Sequence, residues 1–433
     1  MTSAPNFDPY WWAAAPPPAI EPTPVAPSAD AVVVGAGYTG LSAALTLARA
    51  GRTVQVFDLM RPGEGASSRN GGIVSGNLRF SFSRGVDVFG LARTKALYLE
   101  GQEAREDLWR FLEAEKIDCD FALRGRFTAA MRPAHYEAQA REVDLLNTHL
   151  DIGAYAVPKA DQHTEIGSDA YSGGIVRPDI GTLHPAEYHA GLLRVALSSG
   201  ATVHGQTAVL GIARERDGFT VRTARGDVKA RDVIVGTNGY TDRSDSWLRR
   251  RLVPAASRII ATEPLSENLM RHLIPKGRSI VETRKLYRYY RPSPDGTRLL
   301  LGGREAAFSQ DPSANTAHVR RSLAEIFPEL KDVRLTHSWS GYVAFNRDQL
   351  PRLFERDGIH YAAGYCGSGT VWARWLGMKA ALKVLGAPEA NTALACDPPK
   401  AVPLYWGKPW FLPAAMAWFG LQDRYALGDK RLT

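Results

Sequence analysis

The stretch Ala31-Val-Val-Val-Gly35-Ala-Gly37-Tyr-Thr-Gly40 constrains this chain more than any other. Ala31 to Val34 are small and apolar, as a strand buried on both faces requires. Gly-x-Gly-x-x-Gly follows. Gly35 permits a tight turn, Gly37 lets the backbone approach a pyrophosphate, and Gly40 lets the next helix pack close to the sheet. The start of that helix, Tyr38 and Thr39, offers unpaired N–H groups to phosphates. A helical run from Leu41 to Ala50 leads to a second strand, Thr53-Val-Gln-Val-Phe57, which ends at Asp58. An acid there accepts hydrogen bonds from an adenosine ribose and favours a 2′-hydroxyl over a 2′-phosphate. Strand, helix, strand and terminal acid at this spacing predict a bound adenine dinucleotide.

The next segment points to a flavin. Residues 62–75 are rich in glycine, serine and asparagine. A flavin needs its ribityl chain, second phosphate and ring enclosed, whereas a nicotinamide enzyme usually needs no such loop here. Ser67 and Ser68 can reach pyrophosphate or ribityl oxygens, Arg69 and Asn70 sit beside them, and Gly71 and Gly72 let backbone pass close to a flat ring. Turn composition alone explains the glycines but not their place directly after the dinucleotide unit.

Gly65-Ala-Ser-Ser-Arg-Asn-Gly-Gly72 resembles the flavin loop of the D-amino-acid-oxidase superfamily, closest to its gamma-glutamylputrescine oxidase branch. The resemblance extends through Pro9-Tyr-Trp-Trp12, Leu183-His-Pro185, Ala261 to Leu265, Tyr289-Tyr-Arg291, Gly341 to Pro351 and Gly364-Tyr-Cys-Gly-Ser-Gly-Thr370. That branch usually reads Gly-Tyr-Ser-Gly-His-Gly in the last segment, where this chain has Cys366 and Ser368. The resemblance implies an α/β plus α+β fold, a Rossmann-like FAD-binding domain interwoven with an antiparallel-sheet substrate domain. It implies FAD, read here as noncovalent, since no tethering motif is matched.

Length supports two interwoven domains: 433 residues exceed one average domain. The expected division is a proline-rich arm over 1–29, FAD-domain segments over 30–110, 183–251 and 335–395, substrate-domain segments over 111–182 and 252–334, and an aromatic C-terminal segment over 396–433. Cys119, Cys366 and Cys396 make neither a disulfide framework nor a metal cluster. The start lacks a signal-like apolar run and no apolar stretch reaches about eighteen residues, so a cytoplasmic location is the default expectation. The formal charge of +8 and Arg249-Arg-Arg251 invite a nucleic-acid reading, but no nucleic-acid module accompanies them. A positive funnel for an anionic substrate fits the scattered arginines better.

The helix after Gly364, Gly367, Ser368 and Gly369, starting at Thr370, points N–H groups at the cofactor and would stabilise negative charge on reduced flavin. For the reaction, the resemblance implies oxidation of a small primary or secondary amine to an imine, with oxygen reduced to hydrogen peroxide. A dehydrogenase passing electrons to a membrane carrier is the alternative. Tyr287, Tyr289, Trp339 and Tyr342 fall in the segments expected beside the ring and could hold a cationic or apolar donor, although each could equally be core. Strand alternation puts Tyr287 and Tyr289 on one face and Arg288 and Tyr290 on the other. Arg79, Arg284 and Arg291 are candidates for a substrate carboxylate, and His337 for accepting a proton. His184, His204 and His360 are scattered. The aromatic segment from Tyr405 to Tyr425 could lie on a membrane surface, but its basic face is sparse, which favours packing on the body or on a neighbouring subunit. The oligomeric state stays open.

Overall fold

The computed structural model describes residues 4–305 and 311–425. The parts of the arm, the second substrate segment and the C-terminal segment at 1–3, 306–310 and 426–433 lie outside the described residues.

The first sheet is built on Ser28–Val34, which pairs in parallel with Val54–Phe57 on one side and Gly226–Val235 on the other. Thr202–His204 and Ile359–Ala363 extend it in parallel, Arg352–Arg356 closes one edge antiparallel, and the hairpin Val209–Glu215/Gly218–Thr223 pairs antiparallel with Gly226–Val235. The two-residue turn of that hairpin is Arg216-Asp217, since Gly218 already pairs with Glu215. Helices Tyr38–Arg49, Pro185–Ser198 and Gly369–Val384 pack together on the sheet, sharing one apolar core with Leu41, Leu192, Trp372 and Leu376 at zero exposure. Glycine makes the closest crossing: a Cβ on Gly377 would lie 2.1 Å from the Thr39 carbonyl oxygen.

The second sheet runs Leu335–Phe345, Val253–Thr262, Leu299–Arg304, Tyr289–Pro292, Ser279–Glu282, Arg126–Ala129, Gly174–Arg177, Tyr155–Val157. Every pairing is antiparallel except that of Ser279–Glu282 with Arg126–Ala129. Leu335–Phe345 was expected to open the third FAD-domain segment. It instead pairs along its length with Val253–Thr262, and the chain re-enters the first sheet only at Arg352. Pro312–Ile326 packs across the back of this sheet. The arm runs along its edge: Asn6 bridges to His337, and Trp11 is fully buried against Trp339 and Ile259.

Candidate active site

A cavity of about 1150 Å³ lies between the two sheets. It exceeds the roughly 300–1,000 Å³ of ordinary ligand pockets, as a site for a dinucleotide plus a donor must.

One end is the glycine loop. Gly35 sits at φ +102°, a region that favours glycine, and a Cβ on Gly40 would lie 1.8 Å from the Gly35 carbonyl oxygen. Gly35, Gly37, Tyr38 and Thr39 line the cavity, while Gly40 faces the sheet behind them. No side chain at Gly37 caps the helix, so its first N–H groups stay open toward the cavity, except that Ser67 Oγ accepts from the Tyr38 N–H at 3.0 Å. Asp58 lines the cavity and also braces the loop: its carboxylate accepts the Ala36 N–H at 2.7 Å and the Met60 N–H at 2.8 Å. Burial raises its pKa to about 6 against those bonds. Behind it the buried His189 donates from Nε2 to the Ala36 carbonyl at 2.8 Å, and burial lowers that histidine to about 4.

The glycine- and serine-rich loop follows, with a 3₁₀ turn at Ala66–Ser68. Ser67, Arg69, Asn70 and Gly71 face the cavity. Ser68 and Gly72 do not. Ser68 Oγ donates to the Gly63 carbonyl at 2.7 Å and accepts from Trp12 Nε1 at 2.8 Å. Gly72 takes φ +67°, where a Cβ would meet the Leu183 carbonyl oxygen at 2.1 Å. Asn70 Oδ1 accepts from the Gly72 N–H at 2.8 Å and from Thr370 Oγ1 at 3.3 Å, tying this loop to the late helix.

Of three residues expected beside the ring, two hold this loop from behind and the third lies away from it. Arg291 is buried and donates from Nη1 to the carbonyls of Gly72 at 3.2 Å and Leu183 at 2.8 Å. Trp339 Nε1 donates to the Arg69 carbonyl at 2.9 Å, as Trp11 Nε1 does to Asn70. His337 lies farther along the same strand under the arm, edge-on to Tyr10 at 5.5 Å with Nδ1 3.0 Å from Thr336 Oγ1, and burial lowers its pKa. Among the described residues none of these three lines the cavity.

The late glycine segment bends sharply, with Gly364 at φ +80°, Cys366 at +51° and Gly367 at +109°. Gly364 faces away, its N–H donating to Asn238 Oδ1 at 3.0 Å. Gly367, Ser368, Gly369 and Thr370 line the cavity at the uncapped start of the helix Gly369–Val384. Cys366 lines it too. Its thiol donates to the Gly364 carbonyl at 3.1 Å, and burial pushes it up to about 12.

On the opposite wall Tyr287 and Tyr289 share one face, whereas Tyr290 points into the core and donates to Tyr171 at 3.0 Å. Tyr289 fills the space left by two glycines: a Cβ on Gly302 or Gly71 would meet its ring at 2.2 or 2.9 Å. Burial pushes its phenol to about 12. Arg79 stacks 4.4 Å from the Tyr287 ring centroid, and Arg304 approaches the same ring at 5.8 Å and Phe345 at 4.9 Å. Arg304 Nη1 is buried and has no hydrogen-bond partner among the described residues. Arg284, another candidate, is already paired with Glu282 and Glu325. Tyr342 stands half-exposed at the mouth against Tyr240. The sequence reading missed Arg304 and Arg126, which also lines the cavity. The signal was present for Arg304, which shares a face of Leu299–Arg304 with Gly302, and a glycine there leaves room for a ring.

Of the remaining sequence candidates, the basic cluster is stacked on aromatics: Arg251 lies 3.8 Å from the Trp247 ring centroid, and Arg250 lies 5.6 Å from that of Trp406. Among the described residues no helix is long and apolar enough to cross a membrane.

The Cβ-free turn, two uncapped helix starts and the loop between them fit FAD. A family model, "DAO: FAD dependent oxidoreductase", matches residues 30–382. The chain is 34% identical over 408 residues to the gamma-glutamylputrescine oxidoreductase of Escherichia coli (strain K12), covering 91% of this chain and 93% of that protein. It is 31% identical to the probable oxidoreductase OrdL of Rhizobium meliloti (strain 1021), covering 92% of each. The crystal structure of glycine oxidase from Geobacillus kaustophilus superposes with a TM-score of 0.72 at 20% identity, covering 88% of this chain and 100% of that one. With a family match over most of its length, this chain belongs to the DAO family of FAD-dependent oxidoreductases and is an enzyme of that class.

Proposed function

We propose that the enzyme oxidises an amine that carries a carboxylate, at the carbon beside nitrogen, and that oxygen is the electron acceptor, with hydrogen peroxide as product. The observation that carries the substrate reading is the half-buried Arg304 beside Tyr287, on which Arg79 also stacks, with its buried Nη1 left without a hydrogen-bond partner among the described residues. A buried guanidinium N–H left unpaired is costly, and a carboxylate satisfies both its charge and its planar donor geometry. The amine reading is supported by the relative named gamma-glutamylputrescine oxidoreductase.

When bound, noncovalent FAD supplies the hydride acceptor and passes the electrons to oxygen. Asp58 would hold the adenosine ribose, the N–H groups at Gly37 to Thr39 the pyrophosphate, Ser67, Arg69, Asn70 and Gly71 the ribityl and ring region, and the helix start at Gly369 and Thr370 the ring's polar edge. Arg79 and Arg304 orient the donor by its carboxylate. Tyr287 and Tyr289 give it an aromatic wall. Tyr289 stays protonated at neutral pH and His337 lies outside the cavity, so neither takes the donor's proton. The donor therefore binds as the neutral amine.

The test is an anaerobic screen of the purified yellow protein against paired amines with and without a carboxylate, reading loss of the visible flavin band. Bleaching is expected only with the carboxylate-bearing members, followed by recovery and peroxide when oxygen is admitted. Bleaching by hydroxy acids alone would reject the amine donor, and reduced flavin that oxygen leaves unchanged would reject the oxidase reading in favour of a carrier-linked dehydrogenase. Arg304→Gln should raise KM by roughly 10- to 160-fold, the equivalent of about 1.5–3 kcal/mol for a charged hydrogen bond. Acid precipitation should release the chromophore, and fluorescence that stays with the denatured polypeptide would show a covalent link instead.

A further inference from the structure

The helix Leu412–Tyr425 lies beyond the residues covered by the family model, and it forms part of the cavity wall. Phe411, Leu412, Ala415, Met416 and Phe419 line the cavity. Positions 411, 415 and 419, with 412 and 416 beside them, form one stripe of a helix. The far face is turned to solvent, with Ala414 and Arg424 exposed and Leu421 46% exposed. No residue of the helix is fully buried, so a large core does not hold it in place.

It is held at its far end by polar contacts. The Asp423 carboxylate accepts the Lys285 N–H at 2.8 Å and the Leu286 N–H at 3.0 Å, and its carbonyl accepts from Arg132 Nη2. Gln422 Oε1 takes the Lys285 ammonium at 2.7 Å. Gly420 sits over Leu286, where a Cβ would be 3.8 Å from Cδ1. The segment so gripped, Lys285-Leu286, runs directly into Tyr287, the ring between Arg79 and Arg304. The charged groups at this wall are engaged, Lys285 with Gln422 and Arg284 with Glu282 and Glu325. What the helix presents to the cavity beyond the arginines is hydrocarbon and aromatic surface.

We propose that this C-terminal helix builds an apolar subsite for the uncharged part of the donor, so the enzyme takes amines that join a carboxylate to an aliphatic or aromatic chain, and that Asp423 positions the subsite by latching the helix to Lys285-Leu286. The proposal rests on the carboxylate reading above for the arginine end alone. Asp423 is a positioning residue, and Met416 and Phe419 make the contact.

The test uses unreactive probes on the full-length FAD-loaded enzyme: acetate, butyrate and hexanoate, with the uncharged primary amides of the same chain lengths in parallel, titrated by perturbation of the flavin spectrum. In the unmodified enzyme the dissociation constant should fall about fourfold per added methylene, the ratio that ~0.8 kcal/mol per buried CH2 corresponds to. Met416→Ala/Phe419→Ala should flatten the dependence below about twofold per methylene while leaving acetate binding unchanged. Asp423→Ala should flatten it as well, with FAD content unchanged, and should raise quenching of flavin fluorescence by acrylamide several-fold. A chain-length dependence in the amides with no binding of carboxylates would retire the carboxylate reading and leave the subsite standing. No dependence in either series, or a dependence retained in both variants, overturns the subsite. Loss of FAD from Asp423→Ala would make the helix a cofactor clamp instead and would overturn it equally.

Discussion

Replacing Asp58 tests the dinucleotide end at a single atom group. Its carboxylate accepts two backbone N–H groups, at 2.7 Å from Ala36 and 2.8 Å from Met60, so it shapes the glycine loop as well as lining the cavity. Asp58→Ala removes both bonds and leaves the N–H of Ala36, a residue with no exposed surface, unpaired. Hydrogen bonds to a charged group contribute about 1.5–3 kcal/mol each, and part of that is offset because a buried carboxylate no longer has to be desolvated. A net loss of roughly 1.5–3 kcal/mol in FAD binding raises the dissociation constant about 10- to 160-fold. Titration of apoprotein with FAD, read by flavin fluorescence, measures this directly. The same titration against pH adds a sharper criterion. Burial holds Asp58 at about 6 without ligand, and ribose hydroxyls donated to it would favour the ionised form. Binding therefore releases a proton below that value, and affinity should strengthen as pH rises toward about 6 and level off above it. Asp58→Ala should abolish this dependence. An unchanged dissociation constant, or a pH dependence that survives the substitution, refutes the reasoning.

Other substitutions separate the parts of the site. Gly40→Ala places a Cβ 1.8 Å from a backbone oxygen and should abolish folded, yellow protein, whereas Gly37→Ala meets only the Ser67 hydroxyl, at 2.8 Å, and should fold with weakened FAD binding; equal flavin content in both would be inconsistent with these contacts. Trp11→Ala empties a fully buried site and cuts the bond to the Asn70 carbonyl, so thermal unfolding should show a loss of about 3–5 kcal/mol together with weaker FAD retention. His337→Gln should leave the rate of anaerobic flavin reduction within about twofold, since the ring lies under the arm outside the cavity, and a loss of 100-fold or more would restore it as a catalytic group. With Tyr289 protonated and no histidine at the donor, kcat/KM should rise with pH along the donor's own ammonium titration, so changing to a donor of lower amine pKa should move the profile with it.

What the sequence revealed of this site, and what it hid, follows from how local each requirement is. Gly35, Gly37 and Gly40 could be read because the turn they permit is settled within a few residues and by the absence of side chains. The face shared by Tyr287 and Tyr289 could be read because strand alternation is local too. Alternation does not say where along a strand a cavity begins. His337, Trp339 and Gly341 share one face of Leu335–Phe345, yet only Gly341 reaches the cavity, because residues from the other end of the chain, Asn6 to Trp12, cover the first part of that strand. The same arm explains Ser68 and Arg291. Each has the chemistry of a ligand contact, and each is used to hold the loop from the rear, with Trp12 on Ser68 Oγ and the Arg291 guanidinium stacked 5.7 Å from Trp11. A loop that must let a flat ring pass close needs glycine on its inner side, and glycine supplies no packing of its own. The buried tryptophans and arginine behind it supply that rigidity, so polar and aromatic residues beside a flavin-type loop divide into two layers. Strand position and the arm, rather than residue type, decide which layer each one joins.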